Sequence, residues 1–140
     1  FSRYEILLEN YVKTIEIESR TMQEMLTKDF LPSLSAYAAA ISKNACEKKA
    51  FLPSVSVSEE EALVTSLSES YEAITKGIRS LNKATEEILK LSDIQTAADL
   101  CHDKVLAVME ELRLAANAAE MKIPDEYLPY PTYDQLLFSV

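Results

Sequence analysis

The sequence predicts an all-α fold, in which long antiparallel helices form an up-and-down bundle and an extended tail follows them. The chain has a single glycine, and sheets joined by tight turns need several residues that tolerate positive φ. Apolar side chains recur every three or four residues over long stretches, which is the spacing of one helical face. The chain is 48% hydrophobic, as is typical of globular proteins. We therefore predict one helical bundle over residues 1–123 and a tail over residues 124–140.

The first helix is predicted over residues 3–29. Its apolar face consists of Tyr4, Leu8, Tyr11, Ile15, Met22 and Met25, with one polar step at Glu18 and Ser19. Pro32 lacks a backbone N–H and disfavours helical geometry in the residue before it. We therefore expect the first helix to kink or restart at Pro32, with a second helix over residues 33–49 and a connection over residues 51–57.

The third helix is predicted to begin at Ser58. Glu61 stands three residues later, which is the spacing of a capping box, and the acidic run Glu59–Glu61 suits the positive end of the helix dipole. The seam predicted to face the core consists of Val64, Leu67, Tyr71, Ile74, Ile78, Leu81, Thr85 and Ile88. Gly77 lies inside this helix and weakens it by about 1 kcal/mol relative to alanine.

The last long helix is predicted to follow the Ser92-Asp93-Ile94-Gln95 segment, which again has capping-box spacing. Its core seam consists of Ala98, Cys101, Val105, Val108, Leu112, Ala115 and Ala119. The small residues at positions 115, 116, 118 and 119 predict a close approach of a neighbouring helix. Pro124 ends the helix.

The tail, residues 124–140, differs in composition from the rest of the chain. Its three prolines argue against a long regular helix, while its apolar side chains are more numerous than in a disordered tail. The predicted interface residues are Tyr127, Tyr130, Tyr133, Leu136, Leu137 and Phe138. We expect the tail to pack in extended form along a groove of its own bundle or on a neighbouring domain or subunit.

Charge and hydropathy argue against several classes of partner. The net charge is -9, from 23 acidic and 14 basic residues, and such a surface repels phosphate backbones, so nucleic acid is not an expected partner. No apolar run approaches the ~20 residues that a helix needs to cross a bilayer. Charged residues from Arg3 onward argue against a signal peptide. We expect a cytoplasmic protein without membrane contact.

No constellation of residues predicts catalysis or a metal site. A two-metal carboxylate site in a bundle needs two Glu-x-x-His pairs, and His102 is the single histidine, so we expect it at the surface. Cys101 precedes His102 directly, and neighbours on a helix point about 100° apart, which excludes an activated pair. Cys46 and Cys101 are expected to be two buried thiols in a reducing cytosol. We predict no catalytic, cofactor-binding or metal-binding residue.

Two stretches resemble the C-terminal region of type III glutamine synthetases, the large bacterial class of that enzyme. The first is the opening, residues 3–18, followed by Thr21-Met22 and Lys28-Asp-Phe-Leu-Pro32. The second and more specific stretch is Ile123-Pro-Asp-Glu-Tyr-Leu-Pro-Tyr-Pro-Thr-Tyr-Asp-Gln-Leu-Leu-Phe138. In that family a kinked helix begins the C-terminal domain and a tail of this Pro-Tyr-Pro-Thr-Tyr type ends it. Asp134, where glycine is expected in many relatives, departs from the pattern.

The resemblance implies a parent enzyme that joins ammonia to glutamate using ATP and Mg²⁺ or Mn²⁺, in large ring-shaped oligomers. Its catalytic β-grasp and barrel elements would precede Phe1, and the lack of an initiator Met predicts that the chain was cut from a longer protein. The resemblance therefore implies a non-catalytic C-terminal domain that contributes to structure, oligomer contacts or regulation. Its partners would be the catalytic domain of the same chain and further copies of the parent.

Two alternatives belong to other functional classes. A free-standing helical-bundle interaction module would have its own initiator Met just upstream. A metallo-enzyme bundle would carry bound metal when purified, and the lack of a second histidine argues against it.

Overall fold

The computed structural model describes residues 2–128, which form three antiparallel helical rods. The first rod consists of α1 (Arg3–Met25), a π-helical turn (Leu26–Phe30) and α2 (Leu31–Phe51). The second rod is α3 (Ser58–Leu89). The third rod consists of α4 (Ile94–Leu100), a second π-helical turn (Cys101–Val105) and α5 (Leu106–Glu120), and a 3-10 turn (Asp125–Tyr127) follows it. These residues contain no strand, so the predicted all-α fold is confirmed.

The first rod stays helical across Pro32. The π-helical turn directly precedes α2, and Pro32 lies in the first turn of α2. The backbone N–H of Leu31 bonds the carbonyl of Leu26, five residues back, so the hydrogen-bond register changes just before the residue that lacks a donor. Turns of this kind are a common cause of helix bending. The structure thus places a source of bending beside Pro32, and the kink itself stays a prediction.

The core lies where all three rods meet. α3 packs along both halves of the first rod, and the third rod returns along α3 and α1. The largest fully buried side chains come from every rod and include Phe30, Leu34, Leu67, Ile74, Leu81 and Val105. At the other end of α1, the Tyr4 hydroxyl donates to Gln95 Oε1 at 2.7 Å, which ties the start of the first rod to the start of the third.

Beyond the core, α2 and α3 continue as a two-helix arm, which we define as residues 35–66. No side chain in the arm is buried. Lys122, just after the third rod, donates to the hydroxyls of Ser66 and Ser70 at 2.8 and 3.0 Å, so the third rod ends beside the first half of α3. An ion pair of 2.5 Å between Lys48 and Glu60 joins the two helices of the arm.

A buried chain of hydrogen bonds crosses the core between α1 and α3. The Thr85 hydroxyl donates to the carbonyl of Leu81 at 2.8 Å, so it accepts the proton of the Ser19 hydroxyl, 2.7 Å away. Ser19 in turn accepts from Gln23 Nε2 at 3.1 Å. A buried hydroxyl without a partner costs about 1–3 kcal/mol. This pairing therefore favours one register of α1 against α3.

The predicted seams differ in how well they match the core. In α3 the residues Leu67, Ile74, Leu81, Thr85 and Ile88 are buried as predicted, whereas Tyr71 is exposed because its ring borders an open groove beside Leu34 and Ala38. The third-rod seam also holds, with Ala98, Cys101, Val105, Leu112 and Ala119 buried. The α1 seam is wrong at Tyr4 and Met25, which are exposed, and it omits the buried Val12 and Ser19.

The two predicted capping boxes are wrong, although both helix starts are close to their predicted places. α3 begins at Ser58, and its N-cap residue, Val57, makes no side-chain capping bond. Ser58 already lies in the helix and its hydroxyl pairs with that of Ser56 at 3.1 Å, which is why it does not cap. Before α4 the cap is Asp93, whose carboxylate accepts the backbone N–H of Thr96 at 3.1 Å.

Gly77 lies where α3 packs against α5. A Cβ atom placed there would lie 2.7 Å from Cδ1 of Leu112, and Leu112 is buried. The glycine therefore allows a close approach of two helices, at the expense of helix propensity.

We expect Gly77→Ala to destabilise the natural sequence but to stabilise a Leu112→Ala background. Alanine favours the helix by about 1 kcal/mol over glycine, while an extra methyl group forced into a packed contact costs about 1–3 kcal/mol. Urea unfolding of the parent sequence, both single variants and the double variant measures the two effects separately. An equal effect of Gly77→Ala in both backgrounds would contradict this contact.

Candidate interaction surfaces

The residues with metal-binding or catalytic chemistry do not form a cluster of three or more within residues 2–128. His102 is exposed, as predicted, and its Nδ1 lies 3.0 Å from Asp103 Oδ1. Within residues 2–128, no group of three or more His, Cys, Asp or Glu side chains is arranged to hold a metal ion. The same part of the chain contains no helix with the length and hydropathy to cross a membrane.

The two cysteines have different environments. Cys101 is buried in the third rod, as predicted, and burial raises the pKa of its thiol. The prediction for Cys46 is wrong, since this residue is exposed. Cys46 lies in the arm, in which no side chain is buried, so a helical position alone did not determine burial.

The first part of the tail packs on its own bundle. The ring of Tyr127 contacts that of Tyr37 in α2, with centroids 5.1 Å apart and an interplanar angle of 55°, and both Tyr127 and Leu128 are half-buried. The described part contains a 3-10 turn, so it is not extended throughout. The other predicted interface residues, Tyr130, Tyr133, Leu136, Leu137 and Phe138, lie outside the described residues. Their role, and the division between residues 123 and 124, stay predictions.

The outward side of α1 exposes a second set of apolar side chains. Ile6, Leu7, Ile17 and Met25 are 49%, 59%, 58% and 45% exposed, and we call them the outer face of α1. Leu7 and Met25 are about five helical turns apart, and Ile6 and Ile17 are about three, so the members of each pair point in the same direction. Scattered apolar residues are normal at a surface, but several on one side of a helix indicate an interaction site.

Sequence reasoning missed the outer face of α1 because it searched for one apolar face in the helix. It assigned Met25 to the core and left Ile6, Leu7 and Ile17 unassigned. The available signal was a second set of apolar residues with helical spacing, offset from the first by about half a turn. Within residues 2–128, no other element buries this second set of side chains.

Comparisons with known proteins consistently find similarity to glutamine synthetases. The family described as glutamine synthetase C-terminal domain matches residues 1–49, which form most of the first rod. The chain is 42% identical over 140 residues to a glutamine synthetase of Butyrivibrio fibrisolvens, an alignment that covers 100% of the chain and 20% of that protein. It is 26% identical to a glutamine synthetase of Bacteroides fragilis and 28% identical to a type-3 glutamine synthetase of Dictyostelium discoideum, over 98% of the chain and 19% of each relative. The chain thus spans about one fifth of the length of these curated relatives.

We expect Cys46 to react with a maleimide reagent in the folded protein and Cys101 to react only after unfolding. The thiolate is the reactive form, and burial both shields Cys101 and raises its pKa. Mass spectrometry after brief labelling at neutral pH, with and without urea, counts the modified thiols. A Cys46→Ser variant that still labels rapidly without urea would contradict the burial of Cys101.

Proposed function

Since the chain is related to the C-terminal domain of type 3 glutamine synthetases, we propose that it is the non-catalytic helical domain of such an enzyme. The parent would join ammonia to glutamate using ATP and Mg²⁺ or Mn²⁺, with its catalytic residues in the larger remaining part of the protein. The domain would contribute to structure and to contacts with the catalytic domain or with other copies of the parent. The relationship over the whole chain supports this proposal.

The observation that carries the structural role is the outer face of α1. It lies within residues 1–49, the stretch that the family matches, and on the side of α1 opposite to the buried Val12, Ile15 and Ser19. Covering apolar surface is worth about 25 cal/mol per Å², so a neighbour that packs on this face gains free energy from several large side chains. The rest of the parent protein is the neighbour that we propose.

The first test asks whether the chain is part of a longer enzyme. We expect an antibody raised against this domain to detect, in the source cells, a protein several times larger than 15.7 kDa. Glutamine formation from glutamate, ammonia and ATP should co-purify with that band. A band near the mass of the chain alone would favour the free-standing interaction module instead.

The second test compares two matched leucines in the full-length protein. Leu7 on α1 and Leu114 on α5 are 59% and 58% exposed, so lysine at either position should perturb the domain itself to a similar, small extent. We expect Leu7→Lys to lower the stability of the assembled protein by about 1–3 kcal/mol, because a covered leucine contributes about that much. Leu114→Lys should leave it unchanged.

Thermal unfolding of the two variants, together with size-exclusion chromatography of the oligomer, measures this difference. Glutamine formation below the melting temperature should be similar in both, since neither leucine is proposed to act in catalysis. If both variants melt and assemble alike, the outer face of α1 is not the docking surface.

A further inference from the structure

A groove between α1 and α5 combines apolar and acidic chemistry. It encloses about 480 Å³, and its apolar lining consists of Ile17, Met22, Met25, Leu26, Met109 and Ala116. Three of the four methionines of the chain are in this set. Methionine side chains are flexible and polarizable, and they adapt to the shape of a bound partner.

Glu120 also lines this groove and has no ion-pair partner within residues 2–128. It is half-buried and is the last residue of α5, where the negative end of the helix dipole disfavours a carboxylate and favours a cation. Burial, with the Asp125 carboxylate adding to it, raises the pKa of Glu120. The surroundings of Glu120 therefore favour a positive charge that the described chain does not supply.

The other charged residues of the groove strengthen this preference. Glu18 adds a second carboxylate to the lining. Arg113 also lines the groove, but it pairs with Glu110 one turn away on α5. The uncompensated charge of the groove is therefore negative.

The composition of the tail argues against its being the occupant. Residues 129–140 contain no lysine or arginine, and their one charged side chain is Asp134. This segment could cover apolar side chains, but it could not supply a cation to Glu120. The lysine or arginine that pairs with Glu120 must therefore come from outside this segment.

We propose that the groove binds an amphipathic helix of a partner polypeptide, with apolar side chains against the methionines and a lysine or arginine paired with Glu120. The lining runs over residues 17–26 of the first rod and 109–120 of α5, which is about 14 and 17 Å at ~1.5 Å per residue. That length matches about three turns of a partner helix, which is enough for apolar contacts at i, i+4 and i+7. The proposal goes beyond the proposed function, since it does not require the partner to be part of a glutamine synthetase.

Two peptide probes test the proposal on the intact protein that contains this chain. Both are fluorescent amphipathic helices of about 15 residues with leucines at i, i+4 and i+7, and they differ at one flanking position, which is lysine in one and glutamate in the other. Fluorescence anisotropy measures their affinities. We expect the lysine peptide to bind about tenfold more tightly than the glutamate peptide.

Substitutions test the charged and the apolar contacts of the groove separately. Glu120→Gln should bring the affinity ratio of the two peptides close to one, while Glu111→Gln, an exposed glutamate on the same helix outside the groove lining, should leave the ratio unchanged. Ile17→Asn should weaken both peptides, because Ile17 supplies apolar surface and is exposed enough to be replaced without unfolding.

Three results would overturn the proposal: no saturable binding of either peptide, equal affinities of both peptides, or a ratio that Glu120→Gln does not alter. Ile17 and Met25 belong to both the groove and the outer face of α1, but these readouts depend on Glu120, which belongs to the groove alone, and they use neither enzyme activity nor Leu7. Failure of the groove proposal is therefore distinguishable from failure of the proposed docking through the outer face of α1, whose test uses assembly and melting.

Discussion

The architecture depends on the continuity of the first rod across Pro32. A proline inside a helix usually costs about 3 kcal/mol or more, because it removes a hydrogen bond and clashes with the preceding turn. Here the π-helical turn shifts the register just before it, and the buried Phe30, Leu31 and Leu34 hold the segment in the core. Because the first rod stays helical across Pro32, α3 can pack along both α1 and α2, and the third rod covers only part of that length. The arm is a direct consequence.

The Ser19–Thr85 pair adds specificity to this apolar packing. Apolar seams can slide by one turn with a modest loss of contact, whereas a slide here would break the bond between Ser19 and Thr85 and leave the buried Ser19 hydroxyl proton without this acceptor. In the series of hydrogen bonds that runs from Gln23 to the Leu81 carbonyl, each donor has one acceptor. The pair therefore contributes more to choosing one register than to the total free energy of folding.

The parts of the fold that the sequence predicted best are those where one helix faces neighbours along its whole length. The α3 and third-rod seams have regular spacing, so Leu67, Leu81 and Val105 were correctly assigned to the core. Ser19 was read as a break in the α1 face because its partner, Thr85, is 66 residues away. The capping boxes failed because capping depends on the backbone angles of one residue, which spacing does not determine.

The interaction surfaces were predicted less completely, for a related reason. The apolar character of the tail identified Tyr127 as a packing residue, but its contact with Tyr37 depends on where α2 runs. Cys46 follows a helical pattern and is nevertheless exposed, because burial depends on whether a third helix covers that side. Glu120 likewise has no ion-pair partner within residues 2–128 because the folded bundle positions the lysines and arginines of the neighbouring helices elsewhere. The sequence alone does not show this arrangement.

The arm also differs from the core in its local stability. Residues 35–66 bury no side chain, so separating α2 from α3 there exposes little apolar surface compared with unfolding the core. Local opening of this kind has a free energy well below that of global unfolding, and backbone amides report it through fast hydrogen exchange. A molecule that bound the arm would slow hydrogen exchange in that segment, while the amides around Ser19 and Thr85 would be unaffected. Exchange rates would therefore locate a binder along the length of the protein without any knowledge of its identity.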